Sequence, residues 1–116
     1  MVTLYHNPRC SKSRAALALL RERGIEPEVV LYLETPPDEE TLTQLLAKLG
    51  MAPRELLRKG EPEYRELGLA DPGLSDEEIV RCMVRHPRLI ERPIAVAGDR
   101  AVVGRPPERV LEILDD

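Results

Sequence analysis

A short apolar run, Val2 to Tyr5, opens the chain and gives way to the polar stretch His6 to Arg14. Apolar residues then return at helical spacing, with Ala16, Leu17 and Leu20 on one face and Gly24 placed as a stop. This pattern predicts a strand handing directly to a helix over Ser11 to Arg23. Val29 to Leu33 is an unbroken apolar run, the signature of a strand covered on both faces, and a helix between two such strands implies a parallel βαβ unit. Thr35, Pro36, Pro37 and Asp38 signal the next helix start, and Leu42, Leu45, Leu46 and Leu49 follow at helical spacing before Gly50.

Short helical pieces are expected around Pro53 to Leu57 and Pro62 to Leu67. Ser75 and Glu78 then open a helix that turns Ile79, Cys82 and Met83 inward, and Pro87 closes this helical block. Ile94 to Ala97 and Ala101 to Val103 flank Gly98-Asp99, a two-residue hairpin signal with glycine at the first turn position. After Pro106, Val110, Leu111, Ile113 and Leu114 predict a last helix packed on the sheet. The order βα, β, helical insert, ββα describes an α/β chain. With no repeat, linker or low-complexity tract, it is assigned as one domain over residues 1–116 with a mostly helical insert over about 35–88.

The composition excludes several functions. No stretch approaches the roughly 20 apolar residues of a membrane span. The net charge is −4, and Tyr5, Tyr32 and Tyr64 are the only aromatic rings, so a nucleic acid is not an expected partner. The basic residues are arginine except for Lys12, Lys48 and Lys59, and Asn7 and Gln44 are the only side-chain amides, a bias that both heat adaptation and GC-rich coding produce. The cysteines, Cys10 and Cys82, occur without an export signal, so free thiols in a reducing cytoplasm are expected. Two cysteines and two histidines without paired spacing make no convincing zinc site.

Chemistry concentrates in His6-Asn7-Pro8-Arg9-Cys10-Ser11-Lys12-Ser13-Arg14, where the first strand meets the first helix. At a helix N-terminus the unpaired N–H groups and the positive dipole end favour a thiolate, and Arg9, Lys12 or Arg14 can add charge, so Cys10 is expected to be a nucleophile of depressed pKa. Cys82 reads as a packing residue and His86 as a helix-ending base suited to the dipole. His6 reads either as a group that organises the loop or lowers the Cys10 pKa, or as a strand-end histidine satisfied by backbone. Asn7 and Ser13 read as loop and capping groups. Ser13 stands where a Cys-x-x-Cys motif would have its second cysteine, so an oxidised or modified Cys10 needs another molecule's thiol to resolve it, glutathione being the obvious one.

These residues also form a wider pattern: Tyr5-His6-Asn7-Pro8 with Cys10 and Arg14, Leu57-Arg58-Lys59, Leu67-Gly68-Leu69, His86-Pro87, Arg92-Pro93-Ile94 and Gly104-Arg105-Pro106. From about Val2 to Leu114 the chain resembles the glutaredoxin-coupled arsenate reductases of the ArsC type. The resemblance implies a thioredoxin/glutaredoxin-like, four-stranded mixed sheet with a helical insert. It also implies a cis peptide bond before Pro93.

In that pattern Cys10 is the nucleophile, His6 tunes its ionisation, and Arg58, Arg92 and Arg105 hold arsenate and its covalent adducts. Asn7, Ser13 and Arg14 would support the loop. Arginine suits the task because its planar fork stays charged and can take two oxygens of an oxyanion. The implied reaction reduces arsenate to arsenite through a Cys10 adduct that glutathione, as co-substrate, attacks and glutaredoxin resolves, and the resemblance implies no bound metal or other cofactor. Two other readings share the fold: a glutathione-dependent thiol oxidoreductase of another substrate, and an RNA-polymerase-binding redox regulator of the Spx type, which commonly uses the Cys-x-x-Cys pair missing here.

Overall fold

The computed structural model describes residues 1–114 and divides into two compact units, one formed by Met1–Thr35 with the segment from Arg92 on, the other by Pro36–Glu91. In the first unit, strand β1 (Val2–Tyr5) leads through the Cys10 loop to helix α1 (Ser11–Glu22), followed by β2 (Glu28–Val30), and after the second unit the chain adds β3 (Ile94–Ala97) and β4 (Arg100–Val103). The sheet order is β2-β1-β3-β4, with β1 parallel to β2 and antiparallel to β3, and β3 antiparallel to β4. This is the four-stranded mixed sheet that the sequence pattern implies.

Its core joins Val2 and Leu4 of β1, Ala95 of β3 and Val102 of β4 to Ala16 and Leu20 of α1 and to Val110 and Ile113. Alternate residues of β1 are buried and half-buried, as the two-residue period of a strand requires. Gly98 turns the β3–β4 hairpin at φ 62° while Asp99 keeps a negative φ, which is why glycine stands first in the pair.

Two expected elements differ. The run Val29 to Leu33 stops being a strand at Val30, because the Leu31 carbonyl accepts the Glu34 and Thr35 N–H groups and the Thr35 hydroxyl, closing a turn instead of extending the ladder. Leu33 is accordingly 38% exposed. The C-terminal helix is a 3₁₀ helix, Pro107–Ile113, not an α-helix. Pro106 and Pro107 remove two N–H donors, and the buried pair Val110 and Ile113 is spaced by three residues, a spacing that three residues per turn serves as well as 3.6.

The second unit is helical: α2 (Glu39–Leu49), α3 (Pro53–Leu56), α4 (Pro62–Glu66) and α5 (Asp76–Arg85), then a 3₁₀ turn, Pro87–Leu89, that continues where Pro87 was expected to end the block. Asp38 caps α2 by accepting the Thr41 N–H at 2.7 Å, and Ser75 and Glu78 form a capping box at α5. The α5 face that packs inward is Ile79, Val80 and Met83, whereas Cys82 is half-buried at its margin. His86 is the C-cap of that helix, its N–H bonded to the Cys82 carbonyl at 2.8 Å.

Arg54 ties the loop between α4 and α5 by donating to the carbonyls of Leu69 at 2.9 Å, Leu74 at 3.3 Å and Asp71. Three carbonyls left without this donor predict that Arg54→Ala costs about 1–3 kcal/mol. Urea unfolding checks this, as a lower midpoint at unchanged slope.

Candidate active site at the Cys10 loop

Cys10 is the N-cap of α1, with extended backbone at φ −93° and ψ 122°. Its carbonyl begins the helix by accepting the Arg14 N–H at 3.0 Å. The loop before it is organised by Asn7, which accepts the Cys10 N–H on its carbonyl at 3.0 Å and the Arg9 N–H on its side-chain oxygen at 3.0 Å, the self-closing turn that asparagine favours. Arg14 braces the same loop by donating to the Pro8 carbonyl at 2.9 Å.

Ser13 is fully buried one turn into α1, and its hydroxyl oxygen accepts the Asn7 N–H at 3.0 Å and lies 2.6 Å from Nδ1 of His6. His6 is itself buried, with its N–H on the Val30 carbonyl. Burial, followed by the charges of Arg21 and Arg14, holds its ring below the usual histidine range, so it is neutral at neutral pH. The ring bonds Ser13, which fixes the first turn of the helix beside the sulfur.

The sulfur sits among opposing influences. Burial pushes the Cys10 thiol up, but the Ser13 N–H, a hydrogen bond from the Arg92 side chain, the Lys12 N–H and the Arg92 charge together hold it below its ordinary value. Lys12 thus acts through its backbone. Half-buried and flanked by donors, the thiolate can attack an electrophile without leaving its site.

Arg92 reaches the sulfur because of strand register. Tyr5 pairs with Ile94 across β1 and β3, so the residues just before β3 meet the loop just after β1. Ile94 pairs with Val103 across β3 and β4, which brings Gly104 and Arg105 to the same end. Gly104 donates its N–H to the Pro93 carbonyl at 2.8 Å, and a Cβ there would come within 2.8 Å of Val110 and 2.9 Å of Pro93, so only glycine fits. Arg105 donates to the Arg92 carbonyl at 3.2 Å. The bond before Pro93 is cis, as the sequence pattern implies, and the bond before Pro106, for which no cis bond was expected, is cis as well.

Cys10, His6, Asn7, Ser13, Arg14, Arg92 and Arg105 therefore all lie in the first unit, Arg105 linked to the rest through the Arg92 carbonyl, while Arg58 belongs to the second unit. There the Arg58 guanidinium is bound by Glu91 at 2.6 Å and by Glu61 at 3.3 Å. Neither carboxylate carries a sequence signal marking it as a partner of Arg58, and Glu91 lies 33 positions away. Nor does any local signal single out Gly104, whose role depends on the packing of Pro93 and Val110.

A family model, the ArsC family, matches residues 5–113. The chain is 60% identical over 114 residues to the uncharacterized protein YfgD of Escherichia coli (strain K12), covering 97% of this chain and 96% of that protein. It is 50% identical over 114 residues to the arsenate reductase of Neisseria meningitidis serogroup B (strain ATCC BAA-335 / MC58), covering 97% of each. A solved structure, the arsenate reductase from Vibrio cholerae, superimposes with a TM-score of 0.95 at 53% identity over 97% of both chains. Matched across nearly its whole length and sharing the thioredoxin-like sheet of these relatives, the chain belongs to the ArsC family.

Proposed function

We propose that the protein is an arsenate reductase that works through a Cys10–arsenate adduct, with glutathione and glutaredoxin as thiol donors in a reducing cytoplasm. The observation that carries this reading is the place of Cys10 at the N-terminus of α1 with the Arg92 side chain hydrogen-bonded to its sulfur, since a thiolate and an oxyanion repel each other and only positive groups already in place offset that. Relatives named arsenate reductase at about half identity support it.

The Cys10 thiolate attacks arsenic(V), forming an S–As bond as one arsenate oxygen leaves as water after protonation. Glutathione then adds through its sulfur to arsenic and a second water leaves. A glutaredoxin thiolate attacks the glutathione sulfur, forming a glutaredoxin–glutathione disulfide, and the electron pair of the broken S–As bond reduces arsenic(V) to arsenic(III). Water cleaves the remaining Cys10–As bond, releasing arsenite and the free thiol. In this sequence Arg92 stabilises first the thiolate and then the oxyanion, Arg105 supports Arg92 and receives oxygens, and His6 acts through Ser13 by setting the first turn of α1. Arg58 is assigned to the oxyanion by the family pattern alone.

Intact-protein and peptide mass spectrometry after incubation with arsenate and glutathione tests the reading. An arsenic-containing adduct on Cys10, together with arsenate-dependent turnover once glutaredoxin is added, is the expected result. Absence of both from the folded protein would overturn it. The pairing of Arg58 with two carboxylates favours a second reading, a glutathione-dependent thiol oxidoreductase of another substrate. In that case Cys10 forms a glutathione disulfide but no arsenic adduct.

A further inference from the structure

The carboxylates on Arg58 are held there by the backbone. Leu57 and Ile90 form an isolated antiparallel bridge, the Arg58 N–H donates to the Leu89 carbonyl at 2.8 Å, and the Glu91 N–H donates to the Leu56 carbonyl at 2.9 Å. In this register Arg58 and Glu91 are diagonal neighbours on one face of the two-stranded segment, within reach of each other. Their side chains meet at 2.6 Å, with Arg58 only 22% and Glu91 26% exposed.

The pair is part of a larger group. Glu61 accepts from Arg58 at 3.3 Å and from Arg88 at 3.0 Å, and Glu63 lies 3.8 Å from Arg88. Burial raises the Glu61 carboxyl, but its bonds to Arg58 and Arg88 outweigh this and hold it below the usual range. Three carboxylates thus face two guanidinium groups, and Arg58 presents no uncompensated charge. Its fork is occupied by the kind of ligand, a planar or tetrahedral oxyanion, that such a fork binds best.

We propose that Glu91 is an internal competitor of the oxyanion substrate for Arg58, so that an arsenate ion binds this guanidinium only by displacing the Glu91 carboxylate. Glu91 thereby sets the affinity of the site for oxyanions. The inference rests on the functional reading above in taking arsenate as the ligand and Arg58 as one of its partners. Glu91→Gln keeps the shape and an acceptor oxygen but removes the competing charge. It leaves Glu61 to hold Arg58 in place.

The experiment reads Arg58 itself, with no need for turnover. The whole protein is treated with phenylglyoxal in increasing arsenate, and modification of the Arg58 peptide is followed by mass spectrometry. In Glu91→Gln the arsenate concentration that halves modification is expected to fall roughly three- to ten-fold below that of the unaltered protein. Glu91→Asp, which retracts the carboxylate, is expected to shift it in the same direction by less. It takes over as the test if the glutamine variant does not fold. An unchanged or higher half-protecting concentration, or no protection of Arg58 in any protein, overturns the inference. If arsenate turnover persists in that event, the functional reading still stands. If the Arg58 shift is observed but arsenate turnover is absent, it is the functional reading that fails.

Discussion

Replacing Cys10 by serine is expected to remove arsenate-dependent turnover altogether, a loss of at least about a thousandfold, because no other group in the Cys10 loop can make and then surrender a bond to arsenic. A serine hydroxyl in the same position keeps the N-cap and so the fold. It stays protonated, however, where the thiol ionises, and an O–As link in its place exchanges with water instead of persisting as an adduct for glutathione to add to. Cys10→Ser should therefore unfold at nearly the same temperature as the parent while losing both the arsenic adduct and rapid alkylation by iodoacetamide. Retention of fast alkylation and turnover would assign the nucleophile to another residue. Cys82 is half-buried on α5, and alkylation of that residue should be much slower than that of Cys10 in the parent protein.

Arg92→Ala should produce the second largest effect. Arg92 supports the Cys10 thiolate twice, by a hydrogen bond and by its charge, whereas burial works against ionisation. A group whose charged form loses support while its burial stays must ionise at higher pH. The midpoint of the alkylation rate profile should accordingly move up in Arg92→Ala, from a parent value below that of an ordinary thiol. Turnover should fall further than the thiolate population alone accounts for, by about a hundred- to a thousandfold, because in the proposed mechanism the same guanidinium also stabilises the oxyanion in the bond-forming step. Arg92→Lys should recover part of the thiolate but less of the turnover, since an ammonium restores charge without the two-pronged fork. If the profile stays where it was in Arg92→Ala, the backbone N–H groups of Lys12 and Ser13 suffice for the thiolate, and Arg92 does not tune it.

Local pattern carried a large share of this site. The change from an apolar strand to a polar loop and then to helical spacing placed Cys10 at a helix start, and that placement alone predicts donors around the sulfur, because the first N–H groups of any helix lack internal partners. The Asp38 and Ser75 caps and the Gly98 turn were legible for the same reason: each is decided within four residues. The apolar runs were less exact. Val29 to Leu33 looks like one strand, yet a turn closing on the Leu31 carbonyl cuts it at Val30, and a spacing of three at Val110 and Ile113 suits a 3₁₀ and an α-helix alike.

Which arginine serves the thiolate was not a local matter. Arg9 and Arg14 are the near candidates in sequence, but Arg14 is spent on the Pro8 carbonyl, and the guanidinium that meets the sulfur comes from Arg92, more than eighty positions away. By itself the sequence determined the elements and the helix-capping place of Cys10, because hydrogen bonding and periodicity act over a few residues. Only the tertiary structure decided that β1–β3 register would deliver Arg92, that His6 would turn to Ser13, and that Arg58 would be bound by Glu91. Pairings between distant segments depend on which strands become neighbours, and no short window of the chain contains that choice.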